Sequence, residues 1–162
     1  MKRTAERGFT LVEIMIVVAI IALLAAIAIP NVLRGRTNAN ESASVGNMRA
    51  LMSSLEMYRS VYSRYPAAWT QMYTSVTPPF APPSFQRDLD SAQTVQGYDY
   101  LYTPGADTYD INANPVTLGS TGTRTFWVNE SGQVFHCSGD DTTAAEGLSS
   151  EVTIDQVPVP CT

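Results

Sequence analysis

The stretch Gly8-Phe9-Thr10-Leu11-Val12-Glu13, followed by the apolar run from Ile14 to Ile29, decides how this chain is built. A short leader with three basic residues, Lys2, Arg3 and Arg7, precedes it. No residue from 14 to 33 carries a charge, which makes 20 uncharged positions in a row. At about 1.5 Å of rise per residue, a helix of this length is about 30 Å long and crosses the hydrocarbon core of a bilayer. The stretch therefore predicts a membrane-spanning helix.

One acid, Glu13, stands at the head of the apolar run. A carboxylate at the edge of a membrane helix is costly unless it is paired, so we predict that Glu13 has a functional role. The group that pairs with Glu13 is the central question that this stretch raises.

Charge is distributed unevenly along the 162 residues. Residues 66–162 contain eleven acids against two arginines, a net charge of −9, whereas residues 9–65 have a net charge of +2. Phosphate binding needs clustered Lys and Arg, so the acidic segment argues against nucleic acid as a direct partner. The basic leader stays in the cytoplasm by the positive-inside rule, which puts the acidic segment on the other side of the membrane.

Two ways of processing the N-terminus compete. A secretory signal peptide would be cut after Ala26-Ile27-Ala28, but the apolar run is long for such a peptide and an acid at its start is atypical. The alternative is cleavage between Gly8 and Phe9, which leaves the apolar run on the mature chain. A mature chain that starts at Ile29 would identify the signal peptide.

The residues from Gly8 to Asn31 resemble the leader junction and N-terminus of type IV pilins and type II secretion pseudopilins. The resemblance implies removal of residues 1–8 by a prepilin peptidase and methylation of the new amino group on Phe9. It also implies a structural subunit without enzymatic activity, which an inner-membrane assembly platform adds to a filament of identical subunits. We expect the filament to be a type IV pilus or a related filament, an interpretation that the two cysteines favour. A type II secretion pseudopilus is the alternative, and the sequence does not separate either of them from a competence filament.

In that family the acid at the position of Glu13 is required for assembly. Cleavage creates an amine at Phe9, and a neighbouring subunit's Glu13 would neutralise it. Removing one partner from a buried ion pair costs about 3–5 kcal/mol, so we expect the pair to set the register between subunits.

Pro30 lies inside the helical pattern, where it lacks an N–H and crowds the carbonyl of Ala26. Gly35 weakens the same region. The sequence predicts a kink or local melting there. We divide the helix into a transmembrane or filament-core half, residues 9–34, and an amphipathic half, residues 35–65.

The amphipathic half carries apolar residues at spacings of three and four, which predicts one buried stripe. Its members are Val45, Met48, Leu51, Met52, Leu55, Tyr58 and Tyr62. We expect the helix to end at Arg64-Tyr65-Pro66, because the residue before a proline is biased out of the helical conformation.

Residues 66–162 predict a soluble head. The pairs Pro78-Pro79 and Pro82-Pro83 indicate an extended, solvent-facing loop. Strand signals begin at Gly97, and the clearest hairpin joins residues 124–128 to residues 133–137 through Asn129-Glu130-Ser131-Gly132. The expected fold is α+β and pilin-like: a long N-terminal helix packed on a small antiparallel sheet of three or four strands.

The C-terminal part of the head contains Cys137 and Cys161. A disulfide between them is the natural expectation for an exported domain, and would stabilise the head by about 3 kcal/mol. Many type IV pilins close a C-terminal loop in this way, whereas many major pseudopilins bind calcium there. Asp140 and Asp141 are a weak calcium candidate without regular ligand spacing. No cofactor is expected, and His136 is expected at the surface or boundary of the head.

These expectations place the subunit in the bacterial inner membrane, with a single pass and a periplasmic head, before assembly. After assembly it belongs to a filament at the cell surface or across the periplasm. The competing hypothesis is a membrane-anchored or secreted module that binds a ligand through its head and does not polymerise.

Overall fold

In the computed structural model, residues 9–74, 76–139 and 152–153 are described. The chain forms two compact units, Met1–Gly35 and Arg36–Thr162. One helix, α1, comprises Leu11–Tyr62. Ser63 adopts a left-handed backbone conformation with φ of 56°, and its N–H bonds the carbonyl of Arg59 at 2.7 Å. The helix therefore ends at Tyr62, before the predicted end at Tyr65, because Ser63 leaves the helical conformation first.

The sheet of the described residues has six antiparallel strands in the order of the chain. They are β1 Gln93–Val95, β2 Tyr98–Pro104, β3 Tyr109–Pro115, β4 Arg124–Asn129, β5 Val134–Ser138 and β6 Val152–Thr153. The predicted α+β arrangement is confirmed, but the predicted number of three or four strands is too low. The strands that were missed, β1 and β6, have three and two residues and so offer little alternation to read.

The predicted hairpin is confirmed, with register pairs Phe126↔His136 and Val128↔Val134. Gly132 has a φ of 75° and bonds the carbonyl of Asn129 at 3.2 Å, so the turn uses the conformational freedom of glycine.

Three tyrosines at alternate positions of β2 are buried between the sheet and neighbouring segments. The Tyr98 hydroxyl donates to the Arg124 carbonyl at 2.9 Å, and the Tyr102 hydroxyl donates to the Pro66 carbonyl at 2.6 Å. The Tyr100 hydroxyl donates to Ser44 Oγ on α1 at 3.1 Å. Period-two alternation places all three on one face, and each buried hydroxyl has a partner.

The helix stripe is confirmed at its centre. Met48, Leu51, Leu55 and Tyr58 are buried in the core, and Val45 and Met52 are partly buried against it. The prediction that Tyr62 belongs to the buried stripe is wrong, since 44% of this residue is exposed. The buried face instead extends toward the start of the unit through the polar residues Thr37, Glu41 and Ser44.

The loop between helix and sheet is less exposed than its prolines predict. It contains two short 3₁₀ helices, Trp69–Met72 and Pro83–Phe85, and Trp69, Met72 and Phe85 are buried. The Trp69 indole donates to the Phe85 carbonyl at 2.8 Å, which ties the two turns together. Aromatic burial therefore holds this loop on the core despite its high proline content.

Candidate assembly site

The first turn of α1 is closed by a reciprocal pair of residues. Thr10 precedes the helix, and its hydroxyl accepts a hydrogen bond from the Glu13 N–H at 3.2 Å. Glu13 Oε2 in turn accepts from the Thr10 N–H and from the Thr10 hydroxyl, both at 2.8 Å. This is a capping box, which satisfies N–H groups that the first turn of a helix leaves without partners.

Glu13 therefore has a role within its own chain that the sequence interpretation missed. The signal was present as Thr10-Leu11-Val12-Glu13, a threonine followed three positions later by glutamate before an apolar run. All the described hydrogen bonds to the Glu13 carboxylate use Oε2. Oε1 carries none among the described residues, so one oxygen remains available for another donor.

The segment that follows is apolar and uncovered within the chain. Its large apolar side chains from Phe9 to Leu33 are more than half exposed, and Phe9 itself is 84% exposed. Within the described residues one helix is long and apolar enough to cross a membrane. Such a surface is unstable in water and needs lipid or other apolar helices around it.

Pro30 and Gly35 are both helical residues of α1. The local melting considered for this region is absent from the structure, while the kink stays a prediction. The Asn31 side chain donates to the Ile27 carbonyl at 3.1 Å, close to the proline.

A second cluster joins α1 to the sheet within the head. Glu41 Oε2 lies 2.7 Å from Arg124 Nη2 and accepts from Arg124 Nε at 2.9 Å. The other oxygen, Oε1, accepts from the N–H of Thr123 at 2.8 Å and from its hydroxyl at 2.6 Å. The carboxylate of this buried glutamate is thus bonded through both oxygens.

Opposing effects act on the pKa of Glu41. Burial by itself raises the pKa, but the hydrogen bonds from Thr123 and the guanidinium of Arg124 outweigh it. The pKa of Glu41 is therefore lowered from its ordinary value, and the group is ionised in the folded head.

His136 lies beside this cluster and is only 1% exposed, so the expectation of a surface or boundary position is wrong. Its Nδ1 lies 3.2 Å from Arg124 Nη1, and its ring stacks on Phe126. The register of the hairpin brings His136 onto the face that the core covers, which a single polar residue in a short strand does not reveal.

The remaining predicted site residues stay predictions. Cys137 is buried on β5, but Cys161 lies outside the described residues, as do the calcium candidates Asp140 and Asp141. Within the described ranges no group of three or more His, Cys, Asp or Glu side chains could hold a metal ion. Gly8 also lies outside them, so cleavage before Phe9 rests on the sequence.

Comparison with known proteins identifies a family motif and several relatives. A family model described as the prokaryotic N-terminal methylation motif matches residues 3–29. The chain is 39% identical over 83 residues to type II secretion system core protein G of Klebsiella michiganensis, covering 51% of this chain and 58% of that protein. It is 32% identical over 126 residues to the protein of the same name from Vibrio cholerae serotype O1, covering 75% and 85%.

A third relative is the type IV major pilin protein PilA of Myxococcus xanthus. It is 48% identical over 60 residues, which are 37% of this chain and 27% of that protein. No solved structure matches this chain significantly.

A methylation motif, an exposed apolar helix and a head built on an antiparallel sheet define a pilin-like structural protein, not an enzyme. The chain belongs to the family of type II secretion system core protein G, whose Vibrio cholerae member it matches over most of its length. It spans little more than half the length of the Klebsiella michiganensis member.

Proposed function

We propose that this chain is a filament subunit that is cleaved between Gly8 and Phe9, methylated on the Phe9 amine and polymerised through residues 9–34. The exposed apolar surface from Phe9 to Leu33 carries this proposal, because nothing in the described chain covers it. A membrane would cover it before assembly, and the same segments of other subunits would cover it afterwards.

The capping box supports a specific role for Glu13. Thr10 holds Oε2 and thereby orients the carboxylate at the start of the helix, while Oε1 faces no donor among the described residues. The amine that cleavage exposes on Phe9 of a neighbouring subunit would bond this free oxygen. The ion pair then fixes which neighbour is in register, and each subunit caps its own helix at the same time.

The proposed partners and location follow from this assembly. A prepilin peptidase and methyltransferase would process the N-terminus, and an inner-membrane platform would add subunits to the growing filament. Before assembly the subunit is a single-pass inner-membrane protein with a periplasmic head.

Among the possible machines, a type II secretion filament is favoured by the length of the similarity. The match to the Vibrio cholerae core protein G includes both helix and head, whereas the match to the pilin of Myxococcus xanthus is limited to 60 residues. The type IV pilus remains the second candidate because the head contains two cysteines, which many type IV pilins use to close a C-terminal loop.

Replacement of Glu13 by Ala tests whether the chain polymerises with the help of this carboxylate. The variant should remain processed and membrane-bound but yield few sheared filaments, and N-terminal sequencing should still find Phe9 first. Normal filaments from Glu13→Ala would contradict the role of Glu13. A mature chain starting at Ile29 would overturn the whole proposal in favour of a released binding module.

Deletion of the gene separates the two machines. Loss of exoprotein release with surface pili intact identifies a type II secretion filament, whereas loss of surface pili with release intact identifies a type IV pilus.

A further inference from the structure

An open apolar groove of about 520 Å³ lies in the head at the C-terminal end of α1. The residues around it include Met57, Val61, Tyr62, Val76, Pro79 and Phe80. Val61 is 62% exposed, although its side chain has no polar atom that could hydrogen-bond with water. The ring of Phe80 contacts Tyr58 and Tyr62 edge-on at centroid distances of 5.6 and 6.3 Å, so aromatic packing holds one wall of the groove.

The head has a second exposed apolar feature, the loop of residues 116–123 between β3 and β4. Val116 and Leu118 project from this β3–β4 loop, and Leu118 is 50% exposed. Internal hydrogen bonds shape the loop: the Gly119 N–H bonds the Gly122 carbonyl at 2.7 Å, and the Thr121 N–H bonds the Thr117 carbonyl at 2.9 Å.

The β3–β4 loop is also tied to α1. The Thr37 hydroxyl donates to the Ser120 carbonyl at 3.0 Å, and the Asn40 side chain donates to the Thr121 carbonyl at 2.9 Å. A loop that is already ordered loses little conformational entropy when it binds, so its exposed side chains are ready to bind a partner.

Charge distinguishes these two surfaces from the rest of the head. Residues 65–86, which include the wall of the groove opposite α1, contain no charged residue, and neither do residues 111–123 around the loop. The head together with its part of α1, residues 36–162, has thirteen acidic and six basic residues, a net charge of −7. Two heads of this charge repel each other, and contact through uncharged surfaces avoids burying unpaired carboxylates.

The two surfaces lie at opposite ends of the head. The β3–β4 loop is anchored at Thr37 and Asn40, and the groove is formed at Met57 to Tyr62. These helix positions are separated by about 30 Å at 1.5 Å per residue. A chain therefore cannot fill its own groove with its own loop. Two different patches that bind each other form a heterologous contact, which repeats without closing when the copies are related by a screw.

We propose that the β3–β4 loop of one subunit places Val116 and Leu118 in the groove of another copy of this chain. The inference rests on the proposed filament and identifies the head contact that repeats along it. The groove has one occupant of defined chemistry, an uncharged ordered loop with two aliphatic side chains.

Cysteine cross-linking in assembled filaments tests the contact. Val61→Cys and Leu118→Cys are introduced together, filaments are sheared and oxidised, and the products are separated on a non-reducing gel. We expect a ladder of covalent multimers from the double variant, and none from either single variant or from the wild-type chain with its native cysteines. The control pair Val61→Cys and Ser131→Cys places the second thiol on the exposed β4–β5 turn and should give no ladder.

A charge-pair experiment tests the same contact if the cysteine variants assemble too poorly to be cross-linked. Leu118→Glu should reduce the yield of sheared filaments roughly tenfold, and adding Val61→Lys to the same chain should restore it. The loop–groove contact is overturned if the wild-type chain forms filaments but the double cysteine variant gives no ladder and Val61→Lys does not rescue Leu118→Glu. The proposed function would still stand after that result.

Cross-linking of Val61→Cys to a different polypeptide would assign the groove to another component and would equally overturn the inference. Absence of filaments from the wild-type chain, under conditions where the assembly machinery is expressed, would instead contradict the proposed function itself.

Discussion

Glu41 Oε2 on α1 and Arg124 Nη2 on β4 lie 2.7 Å apart, although 83 positions separate the two residues in the chain. The contact joins the helix to the sheet within the head. Because Thr123 also donates twice to the same carboxylate, the charge of Glu41 is compensated at both oxygens. Several properties of the head depend on this arrangement.

Glu41→Gln should destabilise the head by about 2 kcal/mol, since a buried, charge-assisted network loses its charge while the side-chain volume is kept. For a chain of this size the loss corresponds to a decrease in Tm of about 4–8 °C. Thermal unfolding of the detergent-solubilised full chain, followed by circular dichroism, measures it. Glu130→Gln, at the exposed β4–β5 turn, is the matched control and should unfold close to wild type; equal Tm values for all three chains would contradict the role of Glu41.

The stability of the head should decrease in acid through the same residue. The folded-state pKa of Glu41 is lowered, so its contribution is complete above the unfolded pKa of about 4.3 and is lost as the pH falls through the folded pKa. Burial and the nearby Glu130 raise the pKa of Asp110, which has the opposite effect on the whole chain.

The difference between wild type and Glu41→Gln isolates the Glu41 contribution, because Asp110 is common to both chains. This difference in Tm should be constant near neutral pH and should shrink below about pH 4. A difference that stays constant down to low pH would show that the ionised carboxylate is not the source of the stability.

Two glycines of the head should respond oppositely to replacement by alanine. A Cβ at Gly46 has open space around it, so Gly46→Ala should raise helix stability by about 1 kcal/mol. A Cβ at Gly122 would overlap the hydroxyl and ring of buried Tyr98, so Gly122→Ala should cost about 1–3 kcal/mol. Chemical unfolding of the two variants beside wild type measures both signs, and a stabilising Gly122→Ala would show that the tyrosine moves away at little cost.

Thr10 should matter for assembly through its hydroxyl. Thr10→Val removes the hydroxyl bonds on both sides of the capping box, which costs about 1 kcal/mol and leaves the carboxylate of Glu13 less well oriented. We expect a reduction in sheared filaments of about fivefold, quantified by immunoblot against total subunit. Thr10→Ser keeps a hydroxyl at this position and should assemble normally, so equal yields from the valine and serine variants would exclude the capping role.

Sequence patterns predicted the parts of the fold that depend on interactions between residues close together in the chain. The hairpin of β4 and β5 was readable because alternating side chains flank a four-residue turn that ends in Gly132. The centre of the helix stripe was readable for the same reason, since its apolar spacing reports the buried face directly.

Contacts between segments that are distant in the chain could not be predicted from the sequence. Glu41 lies on the same face as Met48, but a polar residue there indicates burial only when its partner is known, and Arg124 is 83 positions away. His136 presents the same problem, because its environment comes from Arg124 and Phe126 on the neighbouring strand. The capping box is different, because the spacing of Thr10 and Glu13 at the start of an apolar run is a local pattern that predicts it.

The polar contacts between α1 and the segment that leads into β4 also have a mechanical consequence. Thr37, Asn40 and Glu41 bond Ser120, Thr121, Thr123 and Arg124, so all these contacts reach the helix within five consecutive positions. A force that pulls the head along the helix would load these bonds together and not one after another. In a filament under tension, this short stretch would resist detachment of the sheet from the helix as a single unit.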